Sequence, residues 1–243
     1  MFAYTMPQDT VILILSAASI GFFHTLLGPD HYIPFIVLAR ARKWSLWKSL
    51  IITFLCGAGH VGSSILIGLI GILIGSSLTS LVGIETSRGS IAAWMMIAFG
   101  LVYFFWGIRK ATKNKEHAHL HYHSNGTLHT HKHKHIEEHS HFHDKQSFKE
   151  LTPWILFIIF IFGPCEPFIP LLLYPAAKGN LSDVIFVSVT FSLTTILTMI
   201  SIVALSLYGF RFLPSSLNLE RFIHAIAGAT IFVCGIFIEF LGL

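Results

Sequence analysis

Two four-residue stretches, 135 positions apart, join a helix-breaking pair to groups that bind or react: Gly28-Pro29-Asp30-His31 and Gly163-Pro164-Cys165-Glu166. Each interrupts an apolar run, FFHTLLGPDHYIPFIVLA and FIFGPCEPFIPLLLYPAA. Proline removes a backbone donor and clashes with the preceding turn, so a helix is predicted to break at Pro29 and another at Pro164, with Pro167 following. Irregular backbone at membrane depth survives only inside protein or beside a wet cavity. Ionisable groups there are costly and mark functional sites. Imidazole and thiolate together favour zinc, copper, nickel and cobalt over magnesium and calcium. Asp30 and Glu166 would partly neutralise a divalent ion. His24 precedes His31 by seven residues, about 10 Å along an unbroken helix. That is too far for one ion with bonds of about 2 Å, and the Gly28-Pro29 break would shorten it. His60, in CGAGHVGSS, has small neighbours that permit close helix approach. The predicted metal set is therefore His24, Asp30, His31, His60, Cys165 and Glu166. Blander roles compete: a hydrogen-bonded core histidine for His24 or His60, a small buried residue for Cys165, a helix cap for Asp30, a structural ion pair for Glu166. The bland reading is preferred for His224 and Glu239, near span ends.

A second histidine group is of another kind. Eleven of the fifteen histidines fall in HAHLHYHSNGTLHTHKHKHIEEHSHFHD: His117, His119, His121, His123, His129, His131, His133, His135, His139, His141 and His143. Such alternation cannot form a core, and tracts of this composition bind metals. The tract is expected to be disordered without metal, and to capture, buffer or sense metal.

These residues must be held by membrane helices. Only 12% of the 243 residues are charged, against about 25% in soluble domains. Six apolar segments follow one another at 10–28, 47–77, 91–109, 153–176, 182–209 and 222–242, the first continuing past its break to Ala39. Fourteen lysines and arginines lie in loops on one side, with only Arg88 and Lys178 on the other. The basic side is expected to be cytoplasmic, which places both termini outside and the histidine tract inside. Cys56, Cys165 and Cys234 are isolated, so no disulfide framework is expected. No signal for nucleic acid is present. The first apolar run reads as a retained span, without a positive leader or cleavage site.

The two halves also echo each other. Gly28 and Gly163, Ser63-Ser64 and Thr194-Thr195, and the Gly100/Gly107 and Gly228/Gly235 pairs recur in order, at offsets of 135, 131 and 128. Three spans per unit make the second unit inverted, a pattern of secondary transporters with broken helices. The expected fold is an all-α, six-helix membrane protein. It comprises a first repeat over 1–110, a cytoplasmic loop over 111–150 and an inverted second repeat over 151–243.

A histidine on the first span, then Asp30-His31, then a histidine-rich loop: together these resemble the nickel/cobalt transporter superfamily, in its UreH-type and efflux-like branch. That branch is distantly related to sulfite-exporter and CcdA-type membrane proteins, and GPCEP resembles Pro-Cys-containing motifs of the efflux and CcdA-type branches. The resemblance implies a non-enzymatic permease that moves nickel, cobalt or a similar divalent ion such as zinc as substrate; a cytoplasmic histidine tract could load an exporter or buffer an importer's ion, and efflux is slightly favoured. It implies no organic cofactor. The partners are then the bilayer and the metal ion, with homo-oligomerisation open. Three other readings stand beside it: an anion or sulfite exporter, a membrane metal sensor, and a CcdA-type thiol electron-transfer protein.

Overall fold

The chain is described by a computed structural model over residues 7–113, 117–122, 128–133, 144–209 and 220–242. Apolar runs without internal charge become helices because, in lipid, every backbone group must be satisfied within the segment. Helix α1 runs Gln8–Leu27 and ends at Gly28. A single 3-10 turn, Pro29–His31, follows, and α2 resumes at Ile33–Arg42. Then come α3 (Leu46–Leu73), capped by the Ser45 hydroxyl accepting from the Lys48 amide, and α4 (Leu78–Lys113). The second half repeats the broken pattern: α5 (Asp144–Phe162), an irregular stretch through Cys165, then α6 (Phe168–Ala177). Helices α7 (Leu181–Gly209) and α8 (Ile223–Leu241) complete it. Gly75 and Gly179 take left-handed backbone just after α3 and α6, where a side chain would be strained.

Among the described residues, five helices are long and apolar enough to cross a membrane: α1, α3, α4, α7 and α8. The apolar parts of α5 and α6, Leu151–Phe162 and Phe168–Ala177, are shorter. A span needs about 20 residues, so the fourth expected segment is two half-length helices on either side of a break. Trp47, Leu73, Leu197 and Leu205 are exposed, so the outer surface is suited to lipid. The membrane part is a multi-pass, all-α fold.

The third expected segment, 91–109, is too short. Helix α4 begins at Leu78, and Arg88, expected in an outer loop, lies buried within it. The histidine tract differs too. Residues His117–Tyr122 and Leu128–His133 form an antiparallel pair, β1 and β2, with His117 opposite His133, His119 opposite His131 and His121 opposite His129. Alternation of period two suits a strand, and Asn125-Gly126, a pair favoured in hairpin turns, lies between them in the sequence. His123, His135, His139, His141 and His143 lie outside the described residues.

Packing joins the two halves. Helix α4 lies against α8, α3 against α7, α1 against α7, and α5 against α3. Gly100 and Gly228 sit where α4 and α8 cross: each carbonyl faces the other glycine's Cα, and Gly107 and Gly235 meet the partner backbone further along. The order of contacts along the two helices is antiparallel. Small residues allow this close approach, as in other membrane helix pairs.

Candidate functional site

Both breaks turn inward to one place. At the first, the Gly28–His31 turn brings His31 back toward α1, and the ring centroids of His24 and His31 are 4.8 Å apart, edge to face. The break thus removes the axial gap that an intact helix would impose. His31 Nδ1 lies 3.2 Å from both the Gly28 carbonyl and Asp30 Oδ1. From α3, His60 stacks edge-on against His31 at 5.1 Å. Its Nδ1 sits 3.3 Å from the Phe160 carbonyl, near the end of α5. Each break glycine cradles an imidazole: a Cβ on Gly28 would stand 2.6 Å from His31 Nδ1, and one on Gly163 would stand 2.7 Å from His60 Nδ1.

At the second break, Cys165 is fully buried and joins the group. Ligand atoms of His24, His60 and Cys165 all lie within 4.8 Å of one another. The Nε2 atoms of His24, His31 and His60 are buried and have no hydrogen-bond partner among the described residues. Buried polar atoms without partners are costly, and three at one place imply a ligand or a proton to share. Ligand atoms around a tetrahedral zinc stand about 3.5 Å apart. A small side-chain contraction would therefore let His24, His60 and Cys165 hold a metal ion, with His31 adjacent.

Of the sequence-predicted set, Glu166 is the one turned away. It is exposed and accepts from the Thr86 hydroxyl at 2.8 Å. Asp30 orients His31. A groove of about 410 Å³ reaches the site from the surface between α1 and the second break, lined by Phe23, His24, Leu27, Asp30, His31 and Pro167 among others. A cavity of about 20 Å³ lies behind it, bordered by Asp30, His60, Gly163 and Pro164, room for about one water. A larger groove of about 600 Å³, beside Cys56 and Trp154, is apolar and is lined by none of these groups. The three cysteines carry no disulfide. Cys165 packs with Phe168 and Phe191, while Cys56 and Cys234 belong to a separate core cluster.

Two residues were not foreseen. Glu85 is fully buried, and its carboxylate accepts from the Ser64 hydroxyl at 3.0 Å and the Cys165 amide at 2.9 Å. It pairs with Arg88, which also donates to Ser63 and to the carbonyls of Ile161 and Gly163. The signal was present: Leu81, Glu85, Arg88, Ala92 and Met96 recur at helical spacing, and all are buried.

A search of curated proteins and of solved structures returned no match. One family matches residues 33–237, described as the cytochrome C biogenesis protein transmembrane region. It overturns the nickel/cobalt transporter resemblance, and with it the reading of the chain as a permease for nickel, cobalt or zinc. That resemblance rested on His24, Asp30-His31 and the histidine tract, and the first three of these lie ahead of the matched span. The match takes in both α3 with His60 and the Gly163–Glu166 break, and it covers most of the 243 residues: the chain belongs to the cytochrome c biogenesis transmembrane-region family.

Proposed function

We propose that this chain carries out thiol chemistry of the cytochrome c biogenesis type from within the bilayer, with Cys165 as its reactive sulfur. One observation carries the reading: Cys165 is set at a helix break, in the matched region, against two imidazoles with unpartnered nitrogens. The thiolate is the nucleophile in disulfide exchange, and His24 and His60 lie within 4.8 Å of the sulfur, so a small side-chain approach would let either take the thiol proton. The thiolate attacks one sulfur of an incoming disulfide, a mixed disulfide forms, and the other sulfur leaves as a thiolate and is protonated. A thiol of a second substrate, attacking as its thiolate, then bonds to the substrate sulfur of the mixed disulfide and displaces Cys165 as the thiolate, so that one substrate disulfide is exchanged for another and one substrate thiol is released. The groove along α1 supports access to the site. Reciprocal packing of α1 on α7 and α5 on α3 supports an inverted 3+3 arrangement, with the two breaks meeting across its axis. Loop charge supports a cytoplasmic histidine tract.

The test uses purified chain in lipid nanodiscs, incubated with glutathione disulfide. The expected result is one glutathione adduct, on Cys165, retained in a Cys56→Ser/Cys234→Ser variant and lost in Cys165→Ser. No adduct, or adducts only on Cys56 or Cys234, would reject the reading.

The unpartnered nitrogens support a second reading, in which the site holds a resident soft or borderline metal ion through His24, His60 and Cys165. With residues 114–143 deleted to remove the histidine tract, one zinc ion per chain is then expected by calorimetry. His60→Ala should weaken it by at least about 100-fold, the scale of a lost stabilising contact at a metal site. Equal zinc binding by the variant would exclude this reading.

A further inference from the structure

The second break leaves backbone groups that an intact helix would satisfy. Helix α5 ends at Phe162, Pro164 has no amide to offer, and the carbonyls of Ile161 and Gly163 need donors. Arg88 supplies them: its Nη2 donates to Ile161 O at 2.6 Å and to Gly163 O at 3.4 Å. Ser63 adds a second donor to Ile161 O at 2.9 Å. The Cys165 amide, in turn, donates to Glu85. Gly89, one residue beyond Arg88, lies against Pro164, where a Cβ would stand 2.8 Å from the ring. One face of α4 thus grips the turn through its carbonyls, its amide and its proline ring. A buried ion pair gains little net stability over apolar residues of similar volume. Its worth here is register.

We propose that Glu85 and Arg88 are positioning residues for Cys165: the pair clamps the Gly163–Cys165 turn to α3 and α4 and so holds the sulfur against His24 and His60. The proposal deepens the reading of Cys165 as the reactive thiol and rests on it for its functional consequence. Neither residue touches the imidazoles through any described hydrogen bond. Their effect passes through the Cys165 backbone. Glu85→Gln keeps a carbonyl oxygen for the Cys165 amide, whereas Glu85→Leu removes every acceptor.

The experiment measures alkylation of each cysteine by N-ethylmaleimide in folded protein in nanodiscs, residue by residue, by mass spectrometry. Cys56 and Cys234, in the other core cluster, report global opening. In Glu85→Leu/Arg88→Met, Cys165 is expected to react at least about tenfold faster than in the unaltered chain, with Cys56 and Cys234 unchanged. In Glu85→Gln, Cys165 should return most of the way to the unaltered rate. The glutathione adduct on Cys165 should form at an altered rate in the Leu/Met variant and at a near-normal rate in the Gln variant. Unchanged Cys165 alkylation in the Leu/Met variant would overturn the clamp, as would equal acceleration at all three cysteines. If the unaltered chain forms no adduct, the thiol reading fails, while the alkylation comparison still decides the clamp.

Discussion

Arg88→Met is expected to destabilise the protein more than any substitution at the imidazoles. Glu85 has no exposed surface, and Arg88 is its counter-charge. Removing the arginine leaves a carboxylate without its countercharge inside the bundle. Breaking one side of a buried pair costs about 3–5 kcal/mol. Two backbone carbonyls, Ile161 and Gly163, also lose a donor, although Ser63 still serves the first. The observable is the unfolding temperature in nanodiscs, expected to fall by about 10 °C. The discriminating measurement is the double variant. Adding Glu85→Leu to Arg88→Met removes the stranded charge, so the pair should melt above Arg88→Met alone despite carrying one more substitution. Additive losses would mean that the two side chains do not act as a unit, and the coupling inferred from their geometry would be wrong.

How far the sequence revealed this site depended on which residues break local rules. Gly-Pro pairs within apolar runs cannot continue a helix, so both breaks were legible at Pro29 and Pro164. Histidine and cysteine in such runs have few reasons to be there, and His24, His31, His60 and Cys165 do converge. Glu166 shows the limit of that logic. It adjoins Cys165 in sequence, yet the irregular backbone sends it outward to Thr86 while Cys165 turns in. Glu85 and Arg88 were hidden for the opposite reason. The stretch IETSRGS is polar enough to read as a loop, and only the helical spacing of Leu81, Glu85, Arg88 and Ala92 reveals a buried face. Family membership was misread because the features that signal metal handling, namely His24, Asp30-His31 and the alternating histidines, are vivid in composition. The family match rests instead on the whole succession of spans over residues 33–237, which a single chain displays only as undifferentiated apolar sequence.

Gly228→Val is expected to separate α4 and α8, the most extensively packed helix pair among the described residues. The obstacle is what decides the size of the effect. A Cβ added at Gly228 meets the Phe104 amide and Cα and the Gly100 carbonyl, all backbone. A flexible side chain could rotate away, but a helix backbone has to translate. The crossing would open along its length, disturbing Gly107 against Ala225 and Gly235 against Ile97 as well. Overpacking costs typically 1–3 kcal/mol, and a rigid obstacle puts this site at about 3 kcal/mol or above. Because α8 also packs on α2 and the Pro29–His31 turn, the change should reach the site: the Cys165 adduct should weaken along with the melting temperature. Gly62→Ala is the matched control. It lies mid-helix in α3 with nothing within 4 Å of an added Cβ, so the exchange should stabilise by up to about 1 kcal/mol through helix propensity. Opposite signs for the two substitutions would tie the effect to the α4–α8 crossing. A neutral Gly228→Val would show that the helices do not approach at Gly100 and Gly228, and the antiparallel contact would have to be abandoned.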